Sequence, residues 1–117
     1  MITGIGVDIV NIERVNRLLE SSFIERCFTE NEISYFEKRK FNAETIAGNF
    51  AAKEAFTKAI GTGFIGFDFK SVEVLHDNND KPYFNFLKEY ANITYHLSIT
   101  HEKEYAVAFV VAENRGV

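Results

Sequence analysis

Two charged residues lie one helical turn apart in a stretch that is otherwise rich in alanine and phenylalanine. Glu54 and Lys58 fall within residues 43–60, which lack proline and are followed by Gly61, so the stretch predicts a helix with a glycine stop. In isolation the two would form an ordinary i, i+4 ion pair worth about 0.2–0.5 kcal/mol. Apolar neighbours such as Phe50 make a charge costly unless it has a partner, which favours a functional role.

A third charged residue, Asp8, falls in the middle of a predicted strand. Residues 2–10 alternate with a period of two, so Asp8 shares one face with Gly4 and Gly6. Glycine within a strand often marks the close approach of a ligand or of another backbone. A solvent-exposed aspartate on an edge strand is the commoner case. The β-branched neighbours disfavour it, and Asp8 therefore remains a candidate.

Carboxylates in poorly solvated positions suit a divalent cation. Asp8 and Glu54 could hold Mg²⁺, which takes one or two carboxylates together with waters and phosphate oxygens, and Mn²⁺ suits the same ligands. Lys58 could then neutralise a phosphate or protonate a leaving oxygen. His101, at the end of another predicted strand, is either a structural hydrogen bonder or a residue that reaches a site at the sheet rim. The sequence has no Ser/His/Asp arrangement, no Cys-x-x-C and no Walker-type loop, so a nucleophile would come from a substrate.

Basic residues cluster in two places on a chain whose net charge is −4. Arg14 and Arg17 lie on the outer face of a helix predicted over 11–21, and Arg26 follows. They indicate either a solvated helix surface or a small cationic docking surface.

The second cluster, Lys38-Arg39-Lys40, ends a helix whose start is marked by a capping box of Thr29 and Glu32. Cations are favourable at a helix C-terminus, and three adjacent ones also suit a phosphate group.

Length and composition indicate one globular domain spanning residues 1–117, with twelve Phe that could leave apolar surface for self-association. The acidic balance disfavours nucleic-acid binding. The single Cys27 fits a reducing compartment, and the sequence shows neither a signal peptide nor a membrane span, so we expect a cytoplasmic protein. The order of a strand, then helices, then strands predicts an α+β fold with a largely antiparallel sheet. The later strands are expected at 71–76, 82–84, 95–100 and 105–113, with 86–92 ambiguous.

Three segments resemble the signatures of the holo-[acyl-carrier-protein] synthase family, the small class of 4′-phosphopantetheinyl transferases. They are GIGVDIV at 4–10, FAAKEAFTKA at 50–59 and LSITH at 97–101, in the expected order. The resemblance implies the fold of that family, in which a largely antiparallel sheet wraps around a long central helix. It implies transfer of 4′-phosphopantetheine from coenzyme A to a serine of apo acyl carrier protein, in fatty acid biosynthesis, with release of adenosine 3′,5′-bisphosphate.

The same resemblance assigns roles to residues of this chain. Asp8 and Glu54 would bind Mg²⁺ together with the pyrophosphate, and Lys58 would contact phosphate and protonate the leaving group. The remaining coenzyme contacts would come from the third motif and from the basic segment: Thr100, His101, Lys38, Arg39 and Lys40. The general base is left open between a side chain, a water and a group on the partner.

Family members form homotrimers with sites at subunit interfaces, which would also occupy the surplus phenylalanines. Their first helix docks the acidic carrier protein, so Arg14, Arg17 and Arg26 become the docking residues. One position departs from the family pattern, because Asn49 stands where an arginine is common. A phosphate contact from that arginine would have to be replaced by Lys53 or by the basic segment.

Two other functions remain open from the residues. A trimeric module that binds coenzyme A or the carrier protein without turnover would keep the basic clusters but would not need Asp8 and Glu54 together. A different Mg²⁺-dependent phosphotransferase or pyrophosphatase would bind nucleotides that lack the pantetheine arm as strongly as coenzyme A.

Overall fold

The computed structural model describes residues 1–61, 68–87 and 92–116. The helices are α1 Ile12–Leu18, α2 Phe23–Cys27, α3 Glu30–Lys38 and α4 Ala43–Ile60, and the strands are β1 Ile2–Asn11, β2 Val72–His76, β3 Pro82–Phe86, β4 Ile93–His101 and β5 Tyr105–Asn114. A 3₁₀ turn, Phe69–Ser71, precedes β2. The predicted α+β class is confirmed.

Both sheets are antiparallel. One has the strand order β1-β5-β4, and the other pairs β2 with β3. β4 and β5 form the predicted hairpin, with His101 opposite Ala106. β5 is therefore the central strand of the larger sheet and lies between β1 and β4.

The long helix α4 lies at the centre of the fold, as expected. Most of its residues are buried, including Ile46, Ala51, Ala55 and Phe56. The Asn42 side chain accepts a hydrogen bond from the backbone N–H of Thr45 at its start. The helix ends at Gly61, whose φ of 83° is a backbone conformation that glycine adopts without steric cost.

The larger sheet has a buried face against α4 and an opposite face that is partly exposed and apolar. Ile5, Val7 and Ile9 of β1 lie on this outer face and are 59%, 49% and 61% exposed. Phe109, which pairs with Val7, is 44% exposed on the same face. The part of the outer face that β1 and β5 form is thus apolar, whereas β4 presents the polar Ser98 and Thr100 there.

Some elements differ from the prediction. α1 ends at Leu18 rather than near 21, and the short helix α2 was not predicted. The apolar loop that the sequence predicts over 64–69 and the ambiguous stretch over 86–92 both lie largely outside the described residues. Among the described residues, no helix has the length and apolar character required to cross a membrane.

Candidate active site

The two glycines of β1 allow the strand to lie directly against the backbone of α4. A Cβ atom at Gly6 would lie 1.8 Å from the carbonyl oxygen of Ala55, and one at Gly4 would lie 1.9 Å from that of Ala59. No side chain fits in this space. Asp8, two residues further along the same face, is therefore brought against the C-terminal half of α4, as the glycine pattern predicted.

Asp8, Glu54 and Lys58 come together at this contact. The Nζ atom of Lys58 lies 3.0 Å from Oδ1 of Asp8, and it donates a second hydrogen bond of 3.0 Å to the carbonyl oxygen of Val7. The Asp8 side chain is 11% exposed and that of Lys58 is 48% exposed. The partner of Lys58 is thus Asp8 of the facing strand, and the ordinary helical i, i+4 pair with Glu54 does not describe the arrangement.

The Asp8 and Glu54 carboxylates lie close enough for their negative charges to repel each other. Burial raises the pKa of Glu54, and the neighbouring Asp8 carboxylate raises it further, to about 8. Lys58 and Arg14 act in the opposite direction but do not cancel this effect. The pair is therefore an electrostatically strained site that a cation would relieve.

The donor set at this site fits a hard divalent cation. Oδ2 of Asp8 is buried without a hydrogen-bond partner among the described residues, and an orphaned carboxylate oxygen is a natural cation ligand. The described ranges contain no group of three or more His, Cys, Asp and Glu that could enclose a metal. Asp8 and Glu54 would thus supply two ligands, and waters or substrate oxygens the rest.

Lys53 does not face this site, and the expectation that it could replace the missing arginine is wrong. Its side chain is fully buried, and Nζ lies 2.6 Å from Oε1 of Glu32. Nζ also donates to the carbonyl oxygens of Cys27 and Phe69, at 2.8 and 2.7 Å. All three donor positions are used inside the protein, so Lys53 joins α4 to its neighbours.

A second group of predicted residues lines a cleft of about 170 Å³ near the N-terminal half of α4. His101 and Arg39 contribute to it, together with Tyr35, His76 and Asn49. Asp8, Glu54 and Lys58 do not line it, so one chain carries two separate groups of candidate residues. A larger groove of about 610 Å³, near the N-termini of α1 and α4, includes none of the predicted site residues.

The side chains at the cleft hold one another in place. Arg39 pairs with Oδ1 of Asp80 at 2.8 Å, and the Tyr35 hydroxyl donates to the same oxygen at 2.8 Å. The Tyr35 ring stacks on His76, with centroids 4.1 Å apart and planes 3° apart. Burial lowers the pKa of His76, which keeps its ring neutral at physiological pH. These contacts fix Arg39 and both rings at one wall of the cleft.

The other predicted coenzyme residues are distributed around this region. Lys38 borders a neighbouring depression shared with Tyr35 and His76, and Lys40 is exposed. Thr100 pairs with Val107 on the outer face of the sheet, whereas His101 pairs with the buried Ala106. Thr100 and His101 therefore point to opposite faces of β4.

The three arginines predicted to dock a partner are all exposed, Arg14 and Arg17 on α1 and Arg26 on α2. Arg17 lies 4.0 Å from Glu13 in a solvent-exposed pair. Arg14 is close enough to Glu54 for its charge to favour the ionised carboxylate. This surface therefore adjoins the Asp8–Glu54 site.

Sequence reasoning missed several residues of the cleft. Tyr35 precedes the predicted Arg39 by four residues at the end of α3, a spacing that could have placed the two on one face. His76 and Asp80 reach them from β2 and the following turn, and no local pattern indicates that pairing. Asn49 was noticed only as a departure from an arginine, and its place in the cleft wall was not foreseen.

The chain is similar in sequence and in fold to known proteins. The profile of the 4′-phosphopantetheinyl transferase superfamily matches residues 4–110. A holo-[acyl-carrier-protein] synthase of Clostridium botulinum (strain Alaska E43 / Type E3) is 49% identical, over 97% of this chain and 98% of the relative.

Two solved structures are also similar. A holo-(acyl-carrier-protein) synthase from Bacillus anthracis, in complex with CoA (3′,5′-ADP), superposes with a TM-score of 0.88 at 44% identity, covering 97% of this chain and 98% of that one. The Helicobacter pylori enzyme in complex with coenzyme A gives a TM-score of 0.82 at 33% identity, over 93% and 99% of the two chains.

Proposed function

The chain belongs to the 4′-phosphopantetheinyl transferase superfamily, among its holo-[acyl-carrier-protein] synthases, and from this premise we propose that it transfers 4′-phosphopantetheine from coenzyme A to a serine of apo acyl carrier protein. The transfer depends on Mg²⁺, releases adenosine 3′,5′-bisphosphate and serves fatty acid biosynthesis in the cytoplasm. Residues 1–117 act as a single catalytic domain.

One observation carries the proposal: a partly buried carboxylate pair, Asp8 and Glu54, lies beside Lys58, and Oδ2 of Asp8 is unpartnered. An ordinary ion pair does not need the second carboxylate, which raises the electrostatic cost of the site. A site for a cation and a pyrophosphate needs both the carboxylates and the lysine. The arrangement therefore supports phosphoryl transfer better than a purely structural role.

Asp8 and Glu54 would hold Mg²⁺, which neutralises charge on the two phosphates of the coenzyme. Lys58 is held at the rim of the site by Asp8 and the carbonyl oxygen of Val7. From there it can contact a phosphate oxygen and donate a proton to the departing oxygen of 3′,5′-ADP. The chain offers no nucleophile because the serine of the carrier protein supplies it: its oxygen bonds to the β-phosphorus as the bond to the bridging oxygen breaks.

The nucleotide end of the coenzyme would occupy the 170 Å³ cleft at His101. Arg39, with Lys38 and Lys40 nearby, provides positive charge for its phosphates. Because the cleft and the Asp8–Glu54 pair are separate within one chain, we propose that a coenzyme molecule uses the cleft of one copy and the carboxylates of another.

A homotrimer provides such an arrangement, and the apolar outer face of the larger sheet supports self-association. Ile5, Val7, Ile9 and Phe109 are about half exposed on this face, and apolar patches of this kind mark interaction surfaces. Thr100 lies on the same face, one strand away from Phe109 and Val107. In the trimer it would lie near the boundary between copies, where it could take part in the coenzyme site.

Arg14, Arg17 and Arg26 would receive the acidic carrier protein. All three are exposed, and Arg14 is near Glu54. A carrier protein bound there would present its serine to the site. Charged pairs at the rim of an interface mainly increase the rate of association.

The test is the mass of the apo carrier protein after incubation with the chain, coenzyme A and Mg²⁺. We expect an increment of one phosphopantetheine group, and we expect Glu54→Gln to slow its appearance by about a hundredfold or more. Glu30→Gln, which changes an exposed carboxylate on α3, is the matched control and should keep the wild-type rate. Binding of coenzyme A without any increment would indicate a binding module, and an unchanged rate for Glu54→Gln would refute the assigned site.

A further inference from the structure

Two nitrogen atoms in the wall of the 170 Å³ cleft are buried and have no hydrogen-bond partner within the described part of the chain. They are Nδ2 of Asn49 and Nδ1 of His76, and both residues line this cleft. The remaining buried atom of this kind, Oδ2 of Asp8, belongs to the carboxylate pair. The cleft therefore holds two of the three orphaned polar atoms found in the described ranges.

Asn49 is the stronger indicator of a ligand. It is 1% exposed, lies in the middle of α4 and is one of the few buried polar residues of the protein. An amide donor that is removed from water without an acceptor is costly, and native proteins rarely retain one without a reason. A bound molecule with an acceptor atom at this point would supply the missing partner.

His76 is held rigidly beside it. Its ring is stacked on Tyr35, with nearly parallel planes at 4.1 Å, and this packing prevents the ring from turning freely to find a partner elsewhere. Nδ1 of His76 is thus held in a fixed position where it can hydrogen-bond a ligand in the cleft. Pre-organised polar atoms of this kind provide orientation and specificity in small-molecule sites.

The chemistry of the wall favours a heterocyclic base over a phosphate at this point. Asn49 contributes a neutral amide, and Pro82 and Ile99 contribute apolar surface. Glu44 also lines the cleft, and its carboxylate would oppose an anion while accepting hydrogen bonds from an exocyclic amine, whereas the Asp80 carboxylate is already paired with Arg39. A purine offers ring-nitrogen acceptors and such an amine, a combination that an asparagine side chain recognises well.

We infer that Asn49 and His76 are specificity-determining residues that hydrogen-bond the adenine base of the nucleotide substrate in this cleft. The inference rests on the proposed function, because it takes the nucleotide end of coenzyme A to occupy the cleft. It assigns Asn49 to reading the base, and it leaves the phosphates to Arg39, Lys38 and Lys40. The asparagine is thus not a weakened phosphate ligand but part of the base recognition of this chain.

The experiment measures binding of adenosine 3′,5′-bisphosphate by titration calorimetry, together with analogues in which N1, N3 or N7 of the base is replaced by CH. We expect Asn49→Ala and His76→Phe each to weaken binding of the parent nucleotide by about tenfold. His76→Phe retains a ring that can stack on Tyr35. At least one analogue should bind the wild type about tenfold more weakly than the parent nucleotide does. For each variant, such an analogue and the parent nucleotide should then bind with equal affinity.

Two controls separate base recognition from a structural effect. Asn78→Ala, in the exposed turn after β2, should bind every nucleotide as the wild type does. Without nucleotide, Asn49→Ala should have a Tm equal to or above that of the wild type, because it removes an unpartnered buried donor. A lower Tm of the free variant together with an equal loss for every analogue would show a structural role and overturn the inference.

The outcomes also distinguish this inference from the proposed function. If the wild type transfers phosphopantetheine and binds the nucleotide, but both variants bind all the nucleotides within twofold of the wild type, the inference fails and the proposed function stands. If the wild type neither binds the nucleotide nor modifies the carrier protein, both are wrong.

Discussion

At the scale of single residues, three charged side chains close together on α4 differ in burial and in role because their partners differ. Lys53 is fully buried and paired with Glu32. Glu54 is partly buried against Asp8, and burial together with that neighbour raises its pKa to about 8. Lys58 reaches the rim and remains about half exposed. The segment from Lys53 to Lys58 thus contains a structural cation, a candidate metal ligand and a candidate proton donor.

The two lysines provide a prediction that separates these roles. Lys53→Met should lower the free energy of unfolding by about 3–5 kcal/mol, because it leaves the Glu32 carboxylate buried without its partner. Lys58→Met should change stability by less than about 1 kcal/mol, while strongly reducing the rate of transfer. Urea unfolding and the carrier-protein mass assay measure the two effects. Equal destabilisation by the two substitutions would contradict the assignment of Lys53 as the structural residue.

The sequence predicted the association of Asp8, Glu54 and Lys58 because the relevant signals are local. Glycines at alternate positions cleared one face of β1, and the i, i+4 spacing placed Glu54 and Lys58 on one face of α4. The roles of Lys53 and Asn49 were not predictable in this way. Whether a polar side chain on α4 points to the core depends on Glu32, Phe69 and His76, which are distant in the sequence.

At the scale of elements, the smaller sheet is joined to α3 by the buried carboxylate of Glu73 in β2. This carboxylate accepts hydrogen bonds from Thr29, the N-cap residue of α3, and from Asn31 and Asn85, at 3.4 and 3.0 Å for the two amides. Burial opposes ionisation, but the hydrogen bonds together lower the pKa of Glu73 below its ordinary value of 4.5. The position of α3, and with it of Tyr35 and Arg39, therefore depends on an ionised Glu73.

This dependence predicts an acid-sensitive contribution to stability. A carboxyl whose pKa is lower in the folded state stabilises the protein above its unfolded pKa of 4.5, and the contribution is lost as the pH falls through the folded value. Glu73→Gln should be less stable than the wild type at pH 7 by about 1.5–3 kcal/mol. The difference should shrink progressively below pH 4.5.

Urea unfolding of both proteins over a pH series measures this difference. Glu37→Gln, an exposed carboxylate on α3, is the control and should follow the wild type at every pH. A destabilisation by Glu73→Gln that stays constant from neutral to acid pH would contradict the role given to the ionised carboxylate.

The elements with complete capping signals were predictable, and those that depend on tertiary packing were not. The capping box of Thr29 and Glu32 and the Gly61 stop both lie where the sequence predicts them. The five-residue α2 has no side-chain capping hydrogen bond at Ser22. It is held by the burial of Phe23 and Ile24, which can be seen only once the core is assembled.

At the scale of the whole molecule, the apolar outer face and the two separate groups of site residues have a common explanation. A chain that exposes Ile5, Val7, Ile9 and Phe109 together gains stability by covering them. A neighbouring copy placed there would also bring a cleft near a carboxylate pair. The proposed homotrimer would explain both features.

The trimer is tested by placing a charge on the outer face. Phe109→Glu should convert the trimer to a folded monomer, because a buried unpaired charge at the interface is costly. Transfer activity should fall with it if the coenzyme site is shared between copies. Leu87→Glu, which alters another exposed apolar residue, is the control and should remain trimeric and active. Light scattering coupled to gel filtration measures the mass, and a fully active wild-type monomer would refute the shared site.

The central claim is that Asp8 and Glu54 hold a divalent cation that drives phosphopantetheine transfer to a carrier protein. The most direct test follows the mass of the apo carrier protein with coenzyme A and the chain, in the presence of a chelator and then after addition of excess Mg²⁺, for the wild type and Asp8→Asn. We expect a phosphopantetheine increment in the wild type only after Mg²⁺ is added, and little or none in Asp8→Asn. An increment that forms equally fast in the presence of the chelator, or that Asp8→Asn leaves unchanged, would contradict it.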